Sequence, residues 1–127
     1  MQTSGNSRIL VKDKLIKIFS LYQRKNLDNE TITIKHYHHP QNQSLKAYVR
    51  NLSASEQFAS NANKDNSTIQ FTINHRNISN DMYVEFAGKT YAITAPDKYE
   101  FYNTDIKFMA KEVAPITAEE TEYEVWS

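Results

Sequence analysis

The sequence predicts a mainly β domain: a small antiparallel barrel or sandwich with an N-terminal helix and one long polar loop. Three observations predict it. Apolar and polar residues alternate with period two in several short stretches between residues 31 and 113, and turn-forming residues separate those stretches. The alternation is one-sided, so each strand buries one face, and a chain of 127 residues has room for one such core. Before the strands, residues 8–25 follow a different period.

Residues 1–7 are small and polar and are expected to be disordered. Over 8–25, Val11, Leu15, Ile18, Phe19 and Tyr22 recur at the spacing of an amphipathic helix, with Lys12, Lys14, Lys17 and Ser20 mostly off the stripe. Ile16 and Leu21 fall outside that stripe, and an alternating strand from Ile9 is the competing reading. Asn26-Leu-Asp-Asn29 ends the segment with turn formers. Residues 31–37 then alternate, with Ile32 and Ile34 on one face. Residues 38–44, with Pro40 and several amides, suit a loop. Leu45, Ala47 and Val49 mark the next strand, and Ile69, Phe71 and Ile73 the one after it. Met82, Val84 and Phe86 continue through Ala87 and Gly88 into residues 89–94, the clearest hairpin in the chain, with Gly88 supplying a positive φ and Lys89 opening the return strand. Ile106, Phe108 and Ala110 mark a last strand over 104–113. The domain is therefore placed at 31–113, followed by an acidic tail over 114–127.

Composition excludes several classes of function. Lys plus Arg and Asp plus Glu are 15 each, so the chain has no net charge with which to grip phosphates. Cysteine is absent, which removes disulfides, thiolate zinc sites and cysteine nucleophiles. No apolar run approaches the roughly 20 residues of a spanning helix, and no membrane partner is expected.

Ala87-Gly-Lys-Thr90 looks like the end of a phosphate loop, but that motif needs glycine at position 83, which is Tyr. His36 and His38 would share one face of a strand, where two imidazoles could hold a metal ion. No carboxylate is clearly placed in sequence to complete that set, so no resident metal or other cofactor is expected. His75, beside Arg76, has no serine and carboxylate arranged with it for nucleophilic catalysis, and the chain is not expected to be an enzyme. The paired carboxylates of the tail are expected to be water-solvated. Tyr37, Tyr48 and Tyr83 face away from the apolar side of their strands, near Lys35, Lys46 and Arg50. That leaves an alternative reading, a small oligonucleotide-binding-type barrel for single strands, weakened by Glu85 and by the neutral charge.

Two segments fall outside the core pattern. Residues 53–65 (SASEQFASNANKD) are longer than an ordinary hairpin loop. The tail carries Glu119, Glu120, Glu122 and Glu124 near Tyr123 and Trp126, a candidate interface for a partner.

Four stretches resemble the head-completion, stopper or head-tail joining proteins of tailed bacteriophages: Lys46-Ala-Tyr-Val-Arg-Asn-Leu-Ser53, Glu56-Gln-Phe58, Ile78-Ser-Asn-Asp-Met-Tyr-Val84 and Phe86-Ala-Gly-Lys-Thr-Tyr-Ala-Ile93. They fall in family order within residues 31–113. The chain departs from the family in its segment at 8–25, which resembles the helix that begins a second branch of tail-attachment proteins. It departs again at His39-Pro40, where glycine is usual. The resemblance implies a structural protein of the virion neck, made in the host cytoplasm. It implies a ring, a hexamer in the virion, beneath the portal and adaptor rings. That ring would hold packaged double-stranded DNA in its lumen without tight binding and offer a surface to tail proteins. The long loop then corresponds to the family's channel-gating loop: Ser53, Ala54, Ser55, Glu56, Gln57, Phe58, Ala59, Ser60, Asn61, Ala62, Asn63, Lys64, Asp65 and Asn66. Its short uncharged side chains, with Lys64 and Asp65 cancelling, suit contact with DNA that must later leave.

Overall fold

The structure, a computed structural model, describes residues 11–51, 68–74, 76–97 and 104–125. Its strands are β1 (Lys14–Lys25), β2 (Thr31–Tyr37), β3 (Leu45–Asn51), β4 (Thr68–Asn74), β5 (Met82–Phe86), β6 (Lys89–Asp97), β7 (Asp105–Val113) and β8 (Glu120–Tyr123). Six strands in the order β3-β4-β7-β6-β5-β1 form a closed antiparallel barrel, because β1 pairs with β5 and also with β3. The remaining half of β1 leaves the barrel as a long arm. There β2 pairs antiparallel with residues 19–25, and β8 pairs parallel with β2.

The helix expected over 8–25 is not formed: residues 14–25 are β1, residues 8–10 lie outside the described residues, and the described residues contain no helix. The reason is that β1 is covered on both faces at its centre. Ile16 and Ile18 (each 1% exposed) point into the barrel while Phe19 (0%) is buried on the opposite face. Two buried faces erase the alternation that identifies a half-buried strand. Val11 and Leu15, which the helical stripe would bury, are 63% and 60% exposed.

β2 and β3 both run antiparallel to β1. β2 ends with Tyr37 opposite Phe19 and β3 begins with Leu45 opposite Ile16. The chain between them, residues 38–44, loops out after the His38 N–H donates to the Ile18 carbonyl at 2.9 Å. At the β5–β6 turn Ala87 and Gly88 have φ of 54° and 80°, so both central residues are left-handed, as a primed two-residue hairpin requires. The barrel interior packs around Phe71, which stacks on Phe108 (5.4 Å between ring centroids) and meets Phe86 and Tyr91 edge-on. Ile16, Ile18, Ile73, Val84, Ile93 and Ile106 surround those rings.

Residues 120–123 are not a solvated tail. They form β8, whose backbone is tied to β2 at both ends: Glu119 N–H donates to the Thr33 carbonyl (3.0 Å) and Glu124 N–H to the Tyr37 carbonyl (3.2 Å).

Candidate functional site

The arm formed by β1, β2 and β8 has two faces that differ in chemistry, and strand alternation sorts its residues between them. On one face Tyr83 stacks on Phe19 at 5.3 Å and Tyr37 stacks on Tyr123 at 5.0 Å. The Lys35 ammonium lies 4.8 Å from the centre of the Phe19 ring and 3.3 Å from Glu85. The Tyr37 hydroxyl donates to the Glu85 carboxylate at 2.8 Å. Burial, and then the bond to that carboxylate, push the Tyr37 hydroxyl well above the usual tyrosine range. Tyr37 is buried and Tyr83 has one ring face covered by Phe19, which reduces the aromatic surface that the single-strand reading needs, while Tyr48 is half-buried on β3. Tyr123, expected as an interface residue, is half-buried against Tyr37. Trp126, its companion in that expectation, lies outside the described residues.

The opposite face carries a polar cluster. The register sets His36 of β2 opposite Ser20 of β1 and beside Glu122 of β8. His36 Nδ1 lies 3.2 Å from Glu122 Oε1, and His38 Nδ1 lies 3.1 Å from Glu124 Oε2. His38 Nε2 is 2.7 Å from Ser20 Oγ. Glu122 also accepts from the Tyr22 hydroxyl (2.5 Å) and from Arg24 Nη1 (2.9 Å), while Arg24 Nη2 reaches Glu120. These bonds, the one from Tyr22 foremost and then the one from His36, hold the Glu122 carboxyl below the usual carboxylate range. The Tyr22 hydroxyl is raised in turn by the same partner. The tail carboxylates expected to be relieved by water are instead paired with Arg24 of β1, His36 of β2 and His38 just beyond it.

His39 leaves this face and is fully buried near Tyr37 and Tyr123. Its Nδ1–H donates to the Pro40 carbonyl at 2.9 Å, and Nε2 has no hydrogen-bond partner among the described residues. Burial pushes this imidazole below its ordinary pKa.

Of the other residues singled out in sequence, Ala87, Gly88 and Lys89 form the β5–β6 turn, an arrangement of strand and strand that cannot cradle a nucleotide phosphate. Residues 53–66 and His75 lie outside the described residues. Sequence reasoning missed the partners of His36 and His38. The signal was present as the period-two spacing of Glu120, Glu122 and Glu124, the spacing of a strand.

The sequence matches the family of phage head completion proteins over residues 13–113. The chain belongs to that family. The match begins at the N-terminal end of β1 and ends at the last residue of β7, so it takes in the whole barrel and stops before β8. The resemblance read from the four sequence stretches is thereby borne out. Head completion proteins are structural components of the phage head, and membership implies a virion component at the head-tail region. No curated protein matches the chain. Among solved structures, the solution structure of protein SF1141 from Shigella flexneri 2a is similar, with 22% identity, a TM-score of 0.65, and coverage of 84% of this chain and 97% of that one. At that identity the likeness speaks for the fold alone.

Proposed function

We propose that this protein is the stopper of a tailed-phage neck: a ring, hexameric in the virion, that docks under the portal and adaptor rings, retains the packaged genome and presents the surface to which tail proteins attach. The observation that carries this reading is the family match across the entire barrel. The barrel's construction is compatible with it. Closure of six strands leaves no open edge within the barrel, so contacts between copies must come from side-chain surfaces, loops and the arm. Residues 53–66 join β3 to β4 and are the candidate gate. Among them Ser53, Ser55, Ser60, Asn61 and Asn63 offer short neutral side chains to DNA, and Lys64 and Asp65 cancel. Neutral overall charge fits a channel through which DNA must slide, because clustered cations would hold it.

Electron microscopy of the protein mixed with its portal complex tests the assembly, with a ring of added density on the portal axis as the expected result. Deleting residues 55–63 tests the gate. The variant is expected to keep the barrel's far-ultraviolet spectrum and its place on the portal while filled heads lose DNA to added nuclease. Heads that keep their DNA with the shortened protein in place would remove the gate from residues 53–66. Failure of the protein to bind the portal complex at all would remove the stopper reading.

A further inference from the structure

We propose that His36, His38 and Glu124 form a binding site for one borderline divalent cation, zinc being the best match, which clips β8 to β2. The ligand-bearing atoms of these three residues lie within 4.8 Å of one another. His36 Nε2 is 3.7 Å and His38 Nδ1 is 3.1 Å from the same oxygen, Glu124 Oε2. Zinc holds nitrogen and oxygen donors at about 2.0–2.2 Å, so donors around a tetrahedral ion stand roughly 3.4 Å apart. Those two separations straddle that edge length, and the third, between the imidazoles, is no more than 4.8 Å, so side-chain rotation must draw the set together around an ion.

Hydrogen bonding around the cluster argues more specifically for a ligand. A metal-binding histidine presents a lone pair on one ring nitrogen and donates its other N–H to an acceptor that fixes the tautomer. Both histidines have that acceptor. Glu122 Oε1 receives Nδ1–H of His36, which leaves Nε2 as the lone-pair nitrogen aimed toward Glu124. In the metal-free protein His38 Nδ1–H donates to Glu124 Oε2 and the Ser20 hydroxyl donates to Nε2; a cation at Nδ1 would reverse the second bond, with Ser20 Oγ then accepting Nε2–H. A cation entering the cluster would take the place of the His38 proton on Glu124 and meet the lone pair of His36 Nε2 on the same side. Glu122, held by Tyr22 and Arg24, serves as the outer acceptor, while Glu124 lies within reach of both imidazoles and supplies the oxygen ligand.

The backbone holds both sides of the site in place. His38 N–H is fixed to the Ile18 carbonyl of β1 and Glu124 N–H to the Tyr37 carbonyl of β2. Glu124 stands near Arg76, whose guanidinium donates to the His38 carbonyl at 2.7 Å, so Arg76 offsets the carboxylate charge in the metal-free protein. The side chains are 27%, 21% and 34% exposed for His36, His38 and Glu124, open enough for an ion to enter and for water to complete its shell. Two imidazoles and one carboxylate favour zinc over calcium or magnesium, which take oxygen donors. His38 and Glu124 are 86 residues apart in sequence, so the ion would close a long loop and hold the end of the arm. The site stands whether or not the ring of the proposed function forms, since it is built within one chain.

The test is calorimetric titration of ZnCl2 into untagged protein previously stripped with chelator. One equivalent is expected to bind, with magnesium chloride in millimolar excess failing to compete. His36→Ala, His38→Ala and Glu124→Gln should each weaken binding at least tenfold. Glu122→Gln, which keeps the three ligands but weakens the acceptor behind His36, should weaken it by about 10- to 100-fold. On wild-type protein, nitrogen-detected imidazole spectra should show zinc shifting Nε2 of His36 and Nδ1 of His38 while His39 stays unchanged. Absence of stoichiometric zinc binding, equal binding by the His36→Ala/His38→Ala variant, or shifts confined to other histidines would each overturn the proposal.

Discussion

Replacing Leu15 and Ile16 by alanine, one at a time, separates a strand from a helix at the start of the barrel. The two residues are neighbours with similar side-chain volumes, and the two conformations bury opposite members of the pair. The helical stripe that includes Val11, Leu15 and Ile18 buries Leu15 and leaves Ile16 aside. In β1 the order is reversed: Ile16 is 1% exposed and pairs with Leu45 across the β1–β3 seam, whereas Leu15 is 60% exposed and pairs with Lys46. Truncating a fully buried isoleucine costs about 2–5 kcal/mol. Only residues 14–16 of β1 meet β3, so the wall there can partly collapse, and about 3 kcal/mol is expected. Leu15→Ala removes atoms already mostly in water and should cost about 0.5 kcal/mol or less. With a urea dependence of about 1.5 kcal/mol per molar for a domain of this size, the unfolding midpoint should fall by about 2 M for Ile16→Ala and about 0.3 M for Leu15→Ala. Equilibrium unfolding in urea, followed both by circular dichroism and by fluorescence, reads both values and checks that the transition is two-state. A midpoint for Leu15→Ala as low as that for Ile16→Ala, or lower, would refute β1 and with it the closure of the barrel.

Two further perturbations address the β5–β6 turn and the aromatic face of the arm. An added Cβ at Gly88 meets nothing within 4 Å, so Gly88→Ala should lose about 1 kcal/mol from its left-handed backbone alone. Ala87→Gly, at φ of 54°, should gain roughly 0.5 kcal/mol. Thermal melts showing the same sign for both would contradict a primed turn. Tyr37→Phe removes the hydroxyl that donates to Glu85 but leaves the Lys35 contact to that carboxylate. With Glu85 28% exposed, the loss should be about 1 kcal/mol, below the full value of a bond to a charged acceptor. In a Glu85→Gln background the same change should cost less, and an undiminished cost would show that the hydroxyl works through packing.

The barrel strands were legible wherever apolar side chains on one face alternated with polar ones on the other. Ile69, Phe71 and Ile73 of β4 and Ile106, Phe108 and Ala110 of β7 stand on the interior face that their alternation assigns to them. The β5–β6 hairpin was legible because a single glycine marks it, although Ala87 also takes a positive φ that its side chain gives no reason to expect. β1 was illegible because it serves three partners. β3 and then β2 pair along it, β5 pairs with its middle, and Phe19 is buried on the face opposite Ile18. A strand covered on both sides has no polar face, and Leu15, Ile18, Phe19 and Tyr22 then match a helical period by coincidence.

The polar cluster shows a different limit. His36 and His38 could be assigned to one strand face from their spacing, and Glu120, Glu122 and Glu124 repeat with the same period. What the spacing lacks is the relation between the two segments, which is a parallel pairing in which His36 meets Glu122. A shift of one residue in that register would turn Glu122 and Glu124 to the aromatic face, beside Lys35 and Tyr37. Tyr123 stacked on Tyr37 opposes such a shift, because the ring would lose its partner and enter the polar side. Arg24 opposes it from the other side by holding Glu120 and Glu122 together. The two faces of the arm therefore specify one another: aromatic packing on the first fixes the register that assembles histidines and carboxylates on the second.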